Sequence, residues 1–241
     1  MQKELTIQPD RLPHHVVIIP DGNRRWATER NLAVWEGHAA GANNTEKLVQ
    51  EAQRLGVKEI SFWGSSLDNL SKRPLAEKQA LLNIYETYFK KLITSEDIHK
   101  NQVHIRCIGR WEKQFPPTLC ALLRAGMETT KQYDKYFLNF FLAYSGDDEM
   151  RQAFEDVAKS LPVGKKMTDA IIKEHLMTRD MPPVDLLIRT GGEPHLSAGF
   201  MMWDIANAQL YFSPKYYPDF DEAAFREAIA DYAIRGRRFG K

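Results

Sequence analysis

His15-Val16-Val17-Ile18-Ile19-Pro20-Asp21-Gly22-Asn23-Arg24-Arg25-Trp26 is the stretch that decides how this chain is read. Its first half is β-branched and apolar and stops at Pro20, the pattern of a buried strand. Its second half changes character within two residues. Gly22 beside Asn23 lets the backbone turn sharply after the strand and aim successive N–H groups into one concavity. The adjacent guanidiniums of Arg24 and Arg25 then suit the oxygens of a phosphate or diphosphate. Asp21 is conspicuous in such company. A carboxylate beside bound anions is repulsive unless a cation lies between them, and Mg²⁺ is the hard, oxygen-seeking ion for that place. Taken alone, the same string also fits an ordinary Asp-Gly turn with solvated arginines.

Working outward, short apolar runs alternate with segments of helical period. Residues 57–63, 103–108, 137–144 and 184–188 read as further strands. Residues 37–55 read as a helix with Leu48, Ala52 and Leu55 on one face and Gly56 as its stop. Residues 74–93 read as a helix with Leu81, Tyr85, Tyr88 and Leu92 in register, and a last helix begins near Asp221 with Phe225, Ile229 and Tyr232 on one side. Strand–helix alternation predicts an α/β fold with a mainly parallel central sheet flanked by helices. Without an internal repeat or Gly/Ser linker, residues 1–241 read as a single domain, with 1–13 flexible and 235–241 a basic tail. In such folds ligands bind beyond the carboxyl ends of the strands. The polar, glycine-bearing segments fall there: 21–26, 65–73, 109–110, 145–149 and 189–197.

Composition narrows the classes. Lys and Arg total 33 against 32 Asp and Glu, a net charge of +1, so a general nucleic-acid binder is not expected and anions must be met by local clusters. The N-terminus lacks a signal-peptide pattern, no apolar run is long enough to span a bilayer, and two cysteines give neither a disulfide framework nor a ligand set. These features predict a soluble, cytoplasmic protein.

Arg189-Thr190-Gly191-Gly192-Glu193 forms a second strand-end turn with an Arg and paired glycines, followed by His195 and Ser197. Ser65, Ser66, Asn69 and Arg73 make a third group of donors, and His38 opens a helix whose N-terminus favours anions. The histidines lack zinc-ligand spacing, and His14-His15 is expected simply to end a loop. The helix over 74–93 is apolar around more than one stripe. It is therefore either buried on both sides or the wall of a tunnel for a hydrocarbon ligand.

Together these segments resemble the cis-prenyltransferase family of the undecaprenyl diphosphate synthase type, from about His14 to Lys241. The residues that carry the resemblance are Asp21-Gly22-Asn23-x-Arg25-Trp26, Gly37-His38-x-x-Gly41, Arg189-Thr190-Gly191-Gly192-Glu193, Leu210-Tyr211-Phe212, Pro218-Asp219-Phe220 and Arg237-Arg238-Phe239-Gly240. The resemblance implies a homodimer, an apolar tunnel in each subunit, Mg²⁺, an allylic prenyl diphosphate donor and isopentenyl diphosphate as acceptor. Peripheral membrane contact would come only through the hydrophobic product. It implies catalytic roles for Asp21 and Asn69, and a donor diphosphate held by Gly22, Asn23, Arg24, Arg25, His38 and Arg73. The acceptor would meet Arg189, His195, Ser197, Trp26, Ser65 and Glu77. Metal would be held by Asp21 and the residue at Gln209, and the tunnel lined by Trp63, Leu81, Tyr85, Tyr88 and Phe141.

Three positions depart from the family pattern. His195 stands where the family has an Arg that grips the acceptor diphosphate, Gln209 where it has a Glu that binds metal, and Val34 where it has another Arg. Pro20 and Arg24, in place of Met and Gly, are milder changes. Two of the three major changes fall on the acceptor and metal side. They lead to the expectation of an acceptor without a diphosphate, such as a small alcohol or another prenyl compound, against an ordinary isopentenyl-using enzyme. Bulky rings at Trp63 and at Phe140-Phe141 lead to the expectation of a short product. A non-catalytic partner subunit is the remaining alternative, disfavoured by the intact Asp21, Asn23 and Arg25.

Overall fold

The computed structural model describes residues 8–235. Its strands are β1 (His15–Ile19), β2 (Glu59–Trp63), β3 (Val103–Ile108), β4 (Tyr136–Phe141), β5 (Leu186–Arg189) and β6 (Gln209–Phe212). Its helices are α1 (Asn23–Glu29), α2 (Val34–Leu55), α3 (Leu67–Lys72), α4 (Leu75–Ile93), α5 (Glu96–Lys100), α6 (Trp111–Gln114), α7 (Pro117–Thr130), α8 (Gly146–Ser160), α9 (Asp169–Glu174) and α10 (Glu222–Arg235). Pro9–Arg11 make a 3-10 turn and Pro13 is buried.

All six strands run parallel in the order β3-β4-β2-β1-β5-β6. A parallel sheet needs helical crossovers that cover both faces, which is why every residue of β1 and β2 is buried, the polar His15, Glu59 and Ser61 included. Alternation along the strands separates two cores. Val16, Ile18, Ile60, Phe62, Leu138 and Phe140 point to one face, where α2, α4, α7 and α10 contribute Leu48, Leu81, Leu123 and Phe225. Val17, Ile19, Trp63, Phe141 and Leu187 point to the other, against Tyr144, Met181, Phe200 and Met201. There Phe141 and Phe200 meet edge to face with centroids 5.1 Å apart. Each ring buried in this way contributes roughly 1.5–3 kcal/mol.

Beneath those rings the second face turns polar. His15, expected to end a loop, is the first residue of β1 and is fully buried. Its Nε2 lies 2.8 Å from Ser61 Oγ and its Nδ1 3.1 Å from the Pro182 carbonyl. Burial holds its pKa down at about 4. Asn139 donates to Ser61 and to Glu59, so polar groups of three strands are linked inside the sheet layer, while the Asn139 Oδ1 is left without a partner.

The chain builds β1 to β4 on one side of β1 and then crosses to β5 on the other. The crevice between the carboxyl ends of β1 and β5 is therefore the switch point at which such sheets bind ligands. Ile19 and Arg189 are register partners there.

Candidate active site

At the end of β1, Gly22 takes φ 100°, a left-handed turn that starts α1 at Asn23. The sharp turn expected after the strand is confined to Asp21 and Gly22, and the rest of the motif, from Asn23, forms the first turn of a helix. Asp21 is fixed by its backbone: its N–H donates to Thr190 Oγ1 at 2.9 Å, and the Thr190 hydroxyl donates to the Asp21 carbonyl at 2.8 Å. Its carboxylate is partly open to solvent and meets two cations. Arg189 Nη2 donates to Oδ2 at 2.8 Å, and Arg25 Nη2 donates to Oδ1 at 3.3 Å. Arg189 is only 5% exposed, its Nη1 donates to the His195 carbonyl at 2.6 Å, and its buried Nε has no partner.

Helix α2 packs directly on α1, and two glycines permit the approach. A Cβ at Gly37 would lie 2.1 Å from the Asn23 carbonyl oxygen, and one at Gly41 2.6 Å from Asn23 Oδ1. That contact carries His38 to the crevice. His38 Nε2 lies 3.3 Å from Glu77 Oε1 and 3.0 Å from Arg73 Nη1, while Arg73 Nη1 donates to Glu77 Oε1 at 2.6 Å. Arg24 Nε approaches the same oxygen at 3.8 Å. Burial first, then the neighbouring Arg73, holds the His38 pKa below its ordinary value, against an upward pull from Glu77. A single carboxylate oxygen thus gathers three basic side chains.

These groups surround a cavity of about 620 Å³. Of the residues expected at the site, Asp21, Gly22, Asn23, Arg24, Arg25, His38, Ser65, Asn69, Arg73, Arg189 and Ser197 line it. Four do not. Trp26 turns away, its indole donating to Asp219 Oδ1 at 2.7 Å while Arg30 stacks over its ring at 4.4 Å. Glu77, placed on the acceptor side from sequence, stands instead behind Arg73 and His38. The His195 ring is exposed, and only its carbonyl touches Arg189. Gln209 pairs with Leu186, three residues before Arg189 and roughly 10 Å lower along the strands, so it does not share a metal site with Asp21 within one chain. Ser66 is among the donors expected from the sequence, whereas nothing in the sequence marks Lys72 as a ligand or Thr190 as a clamp. Ser66 and Lys72 line the cavity, and Thr190 clamps Asp21.

The cavity continues into an apolar groove of about 80 Å³ between α2, α4 and the sheet, and Pro20, Asn23, His38 and Gly64 line both. Leu81, Tyr85 and Tyr88 line this groove as expected, and the Tyr85 hydroxyl donates to the Gly64 carbonyl at 2.7 Å. The two strand residues expected in the tunnel are displaced by one position. Phe62 and Phe140 face the groove, whereas Trp63 borders the polar cavity and Phe141 is fully buried on the far side of the sheet. A one-residue step on a strand exchanges faces, and in a run with no polar alternation the sequence does not mark which face is which.

An allylic diphosphate is the chemistry that such a polar crevice opening into an apolar groove would accept, and comparison with known proteins agrees. The family model for undecaprenyl diphosphate synthases matches residues 19–240. The chain belongs to that cis-prenyltransferase family. A tritrans,polycis-undecaprenyl-diphosphate synthase (geranylgeranyl-diphosphate specific) from Methanopyrus kandleri is 36% identical over 242 residues, covering 99% of this chain and 88% of the relative. An isoprenyl transferase from Streptococcus thermophilus is 39% identical over 239 residues, covering 96% and 94%. The crystal structure of lavandulyl diphosphate synthase from Lavandula x intermedia, in complex with dimethylallyl diphosphate, superposes with a TM-score of 0.87 at 31% identity, covering 96% of this chain and 100% of that one. The chain is therefore a prenyltransferase with the family's fold. Among the described residues no helix is long and apolar enough to cross a membrane. The basic motif at Arg237-Arg238-Phe239-Gly240 lies outside the described residues.

Proposed function

We propose that the protein condenses isopentenyl diphosphate onto an allylic prenyl diphosphate, releasing diphosphate and forming a cis double bond. The observation that carries this reading is the continuity of the two spaces: a crevice lined by Arg24, Arg25, Arg73 and Arg189 opens directly into a groove walled by aromatic rings. In the reaction the allylic C–O bond breaks and its electron pair leaves on diphosphate. The double bond of the acceptor attacks the allylic carbon, and a proton is lost from the adjoining acceptor carbon as the new double bond forms. The first event needs fixed positive charge around the leaving group, and the second needs a dry apolar wall around the cationic carbon. The amides after Gly22, with Arg24, Arg25, His38 and Arg73, serve the donor diphosphate. Arg189 and Ser197 serve the acceptor diphosphate.

Among the described residues, Asp21 is the one acid in the lining of the crevice, and no cluster of three potential ligands occurs. That donor set fits Mg²⁺, which is commonly held by one or two carboxylates together with substrate phosphates and water. When bound there, Mg²⁺ would neutralise charge on the departing diphosphate. Asp21 would hold it, giving up contact with Arg25 and Arg189 as those guanidiniums turn to phosphate.

The expectation of a diphosphate-free acceptor gives way to this reading. It rested on His195 and Gln209, yet neither side chain lines the cavity, while Arg189 does and keeps a buried Nε with no partner. The named activities of the relatives point the same way. The expectation of a short product now rests on Phe62, Tyr88 and Phe140 rather than on Trp63 and Phe141. A groove of about 80 Å³ is smaller than the ~150 Å³ cavity that admits a single benzene. The deciding experiment incubates purified protein and Mg²⁺ with dimethylallyl, farnesyl or geranylgeranyl diphosphate and isopentenyl diphosphate, identifying products by mass spectrometry and NMR. Stoichiometric diphosphate release with cis-elongated product is expected. Products only with prenyl alcohols as acceptors, or no consumption of any allylic diphosphate, would overturn the reading.

A further inference from the structure

Three of the five polar segments beyond the strand ends build the crevice, and two are left over: 109–110 after β3 and 145–149 after β4. They meet in a separate pocket of about 270 Å³ whose walls include Arg110, Lys113, Asp148 and Arg151. Both spaces reach α3, where Leu67 lines this pocket and Asn69 and Lys72 line the crevice. The sheet fixes the pocket's walls. Gly109 takes φ 121°, and a Cβ there would lie 2.2 Å from the Leu142 carbonyl oxygen, so the chain leaves β3 by a turn that suits glycine alone. The Arg110 N–H then donates to the Ala143 carbonyl at 3.0 Å, and the Leu67 N–H to the Tyr144 carbonyl at 3.3 Å, both just past the end of β4.

Three cations line this pocket against one carboxylate. Asp148 anchors two of them: Arg110 Nε donates to its Oδ2 at 2.7 Å, and Arg151 Nη2 donates to its Oδ1. Arg110 Nη2 donates to Gln152 Oε1 at 3.1 Å, which leaves Nη1 without a partner among the described residues. Among the same residues Lys113 has no carboxylate partner, and the half-buried Gln114 makes no side-chain hydrogen bond. The Arg110–Asp148 pair is mostly buried, so this guanidinium is held in one orientation before a ligand arrives, which lowers the ordering cost of binding. Excess positive charge, a fixed guanidinium and an unpaired amide suit an oxyanion with several acceptor atoms, as a phosphoryl group has. Leu67 is the one apolar side chain in the lining, so nothing there receives a hydrocarbon. The volume is under half that of the crevice, which on the reading above takes two diphosphates, and so is the size for one.

We propose that the pocket between Arg110, Lys113 and Arg151 is a second anion site, outside the crevice, that takes one free inorganic diphosphate. The proposal leans on the condensation reading for ligand size alone, and its test needs no turnover, so the two fail separately. ¹⁵N-labelled protein is titrated with sodium diphosphate in the absence of Mg²⁺, and the backbone amides are followed by NMR. Two groups of amides should shift and saturate separately: one at Asn23, Arg24 and His38 in the crevice, the other at Arg110, Lys113, Gln114 and Gln152. Lys113→Glu, an exposed change with no ion pair to lose, should weaken binding at the second group by about tenfold or more and leave the first group unmoved. Arg151→Gln should weaken the second group in the same way. Shifts in the second group alone would uphold the site and count against diphosphate binding in the crevice. Three results would each overturn the proposal: no shift over residues 110–114 and 148–152 at millimolar diphosphate, the same shifts with sodium chloride at equal ionic strength, or unaltered affinity in folded Lys113→Glu.

Discussion

The polar crevice and the apolar groove share four residues yet are built in opposite ways. The crevice is assembled from strand ends and helix starts, and its charged groups are already paired with one another: Asp21 with Arg25 and Arg189, and Glu77 with Arg73 and His38. The groove is assembled from one face of two helices and one face of the sheet, and most of its wall is aliphatic side chains and aromatic rings. A diphosphate entering the crevice must exchange protein partners for its own oxygens, so affinity there is a difference between two sets of ionic contacts. A hydrocarbon entering the groove only has to displace rings. Chemistry therefore depends on single residues in the crevice, and selectivity on bulk in the groove.

The largest expected effect tests the crevice at its centre. Asp21→Ala should lower turnover by ~10³-fold, the scale seen when one preorganised electrostatic group is removed from an active site. Steady-state diphosphate release measures it, and a loss below tenfold would mean that Asp21 is a turn residue only. Next in size is an effect that belongs to neither cavity. The unfolded chain takes up a proton at His15 below its ordinary value of 6.5, while the folded chain resists protonation down to about 4. Stability should therefore fall as pH drops from 6.5 to 4, by about 3 kcal/mol from this residue. Urea midpoints across that range should show the slope, and His15→Gln should flatten it.

Within the crevice, Arg189→Gln should raise the acceptor KM by ~10–100-fold, since hydrogen bonds to charged groups contribute roughly 1.5–3 kcal/mol. The donor KM should move far less, and equal changes in both would erase the distinction between the two diphosphate positions. Smallest is a change at the wall the two spaces share. Gly37→Ala would push α2 away from the Asn23 carbonyl and should destabilise the fold by ~1–3 kcal/mol, the usual cost of overpacking. A thermal shift measures it, and an unchanged transition would show that the α1–α2 contact is loose.

How much of this was legible in the sequence follows the same division. Strands β1 to β5 announce themselves because a sheet covered on both faces demands segments rich in β-branched and aromatic residues. Strand β6 did not, since Gln209–Phe212 is a four-residue edge strand with half-exposed side chains and no such run. Helix α8 carries a readable signal, an acidic first turn at Asp147, Asp148 and Glu149 with buried Ala153 and Val157 one turn apart. Most of the crevice was visible because backbone turns and arginines at strand ends have a local signature. What sequence could not supply was facing: Phe140 against Phe141, the outward turn of Trp26, and the placement of Glu77 behind Arg73 are settled by tertiary packing. His195 and Gln209 looked decisive as departures from a pattern. In the fold, the first contributes its carbonyl and the second lies at the far end of an edge strand.

The pairing of Ile19 with Arg189 has a further consequence. Because Asp21 follows one of these residues and the other is itself a ligand candidate, the gap between the two anion positions is gauged by adjacent strands about 4.8 Å apart. A gauge made of backbone is insensitive to side-chain repacking but brittle to slippage. Moving β5 by one residue against β1 would shift Arg189 by about 3.3 Å and send its guanidinium to the opposite face. Remote residues such as Val16 and Leu186, register partners three steps below, act as the calibration of a site they never touch.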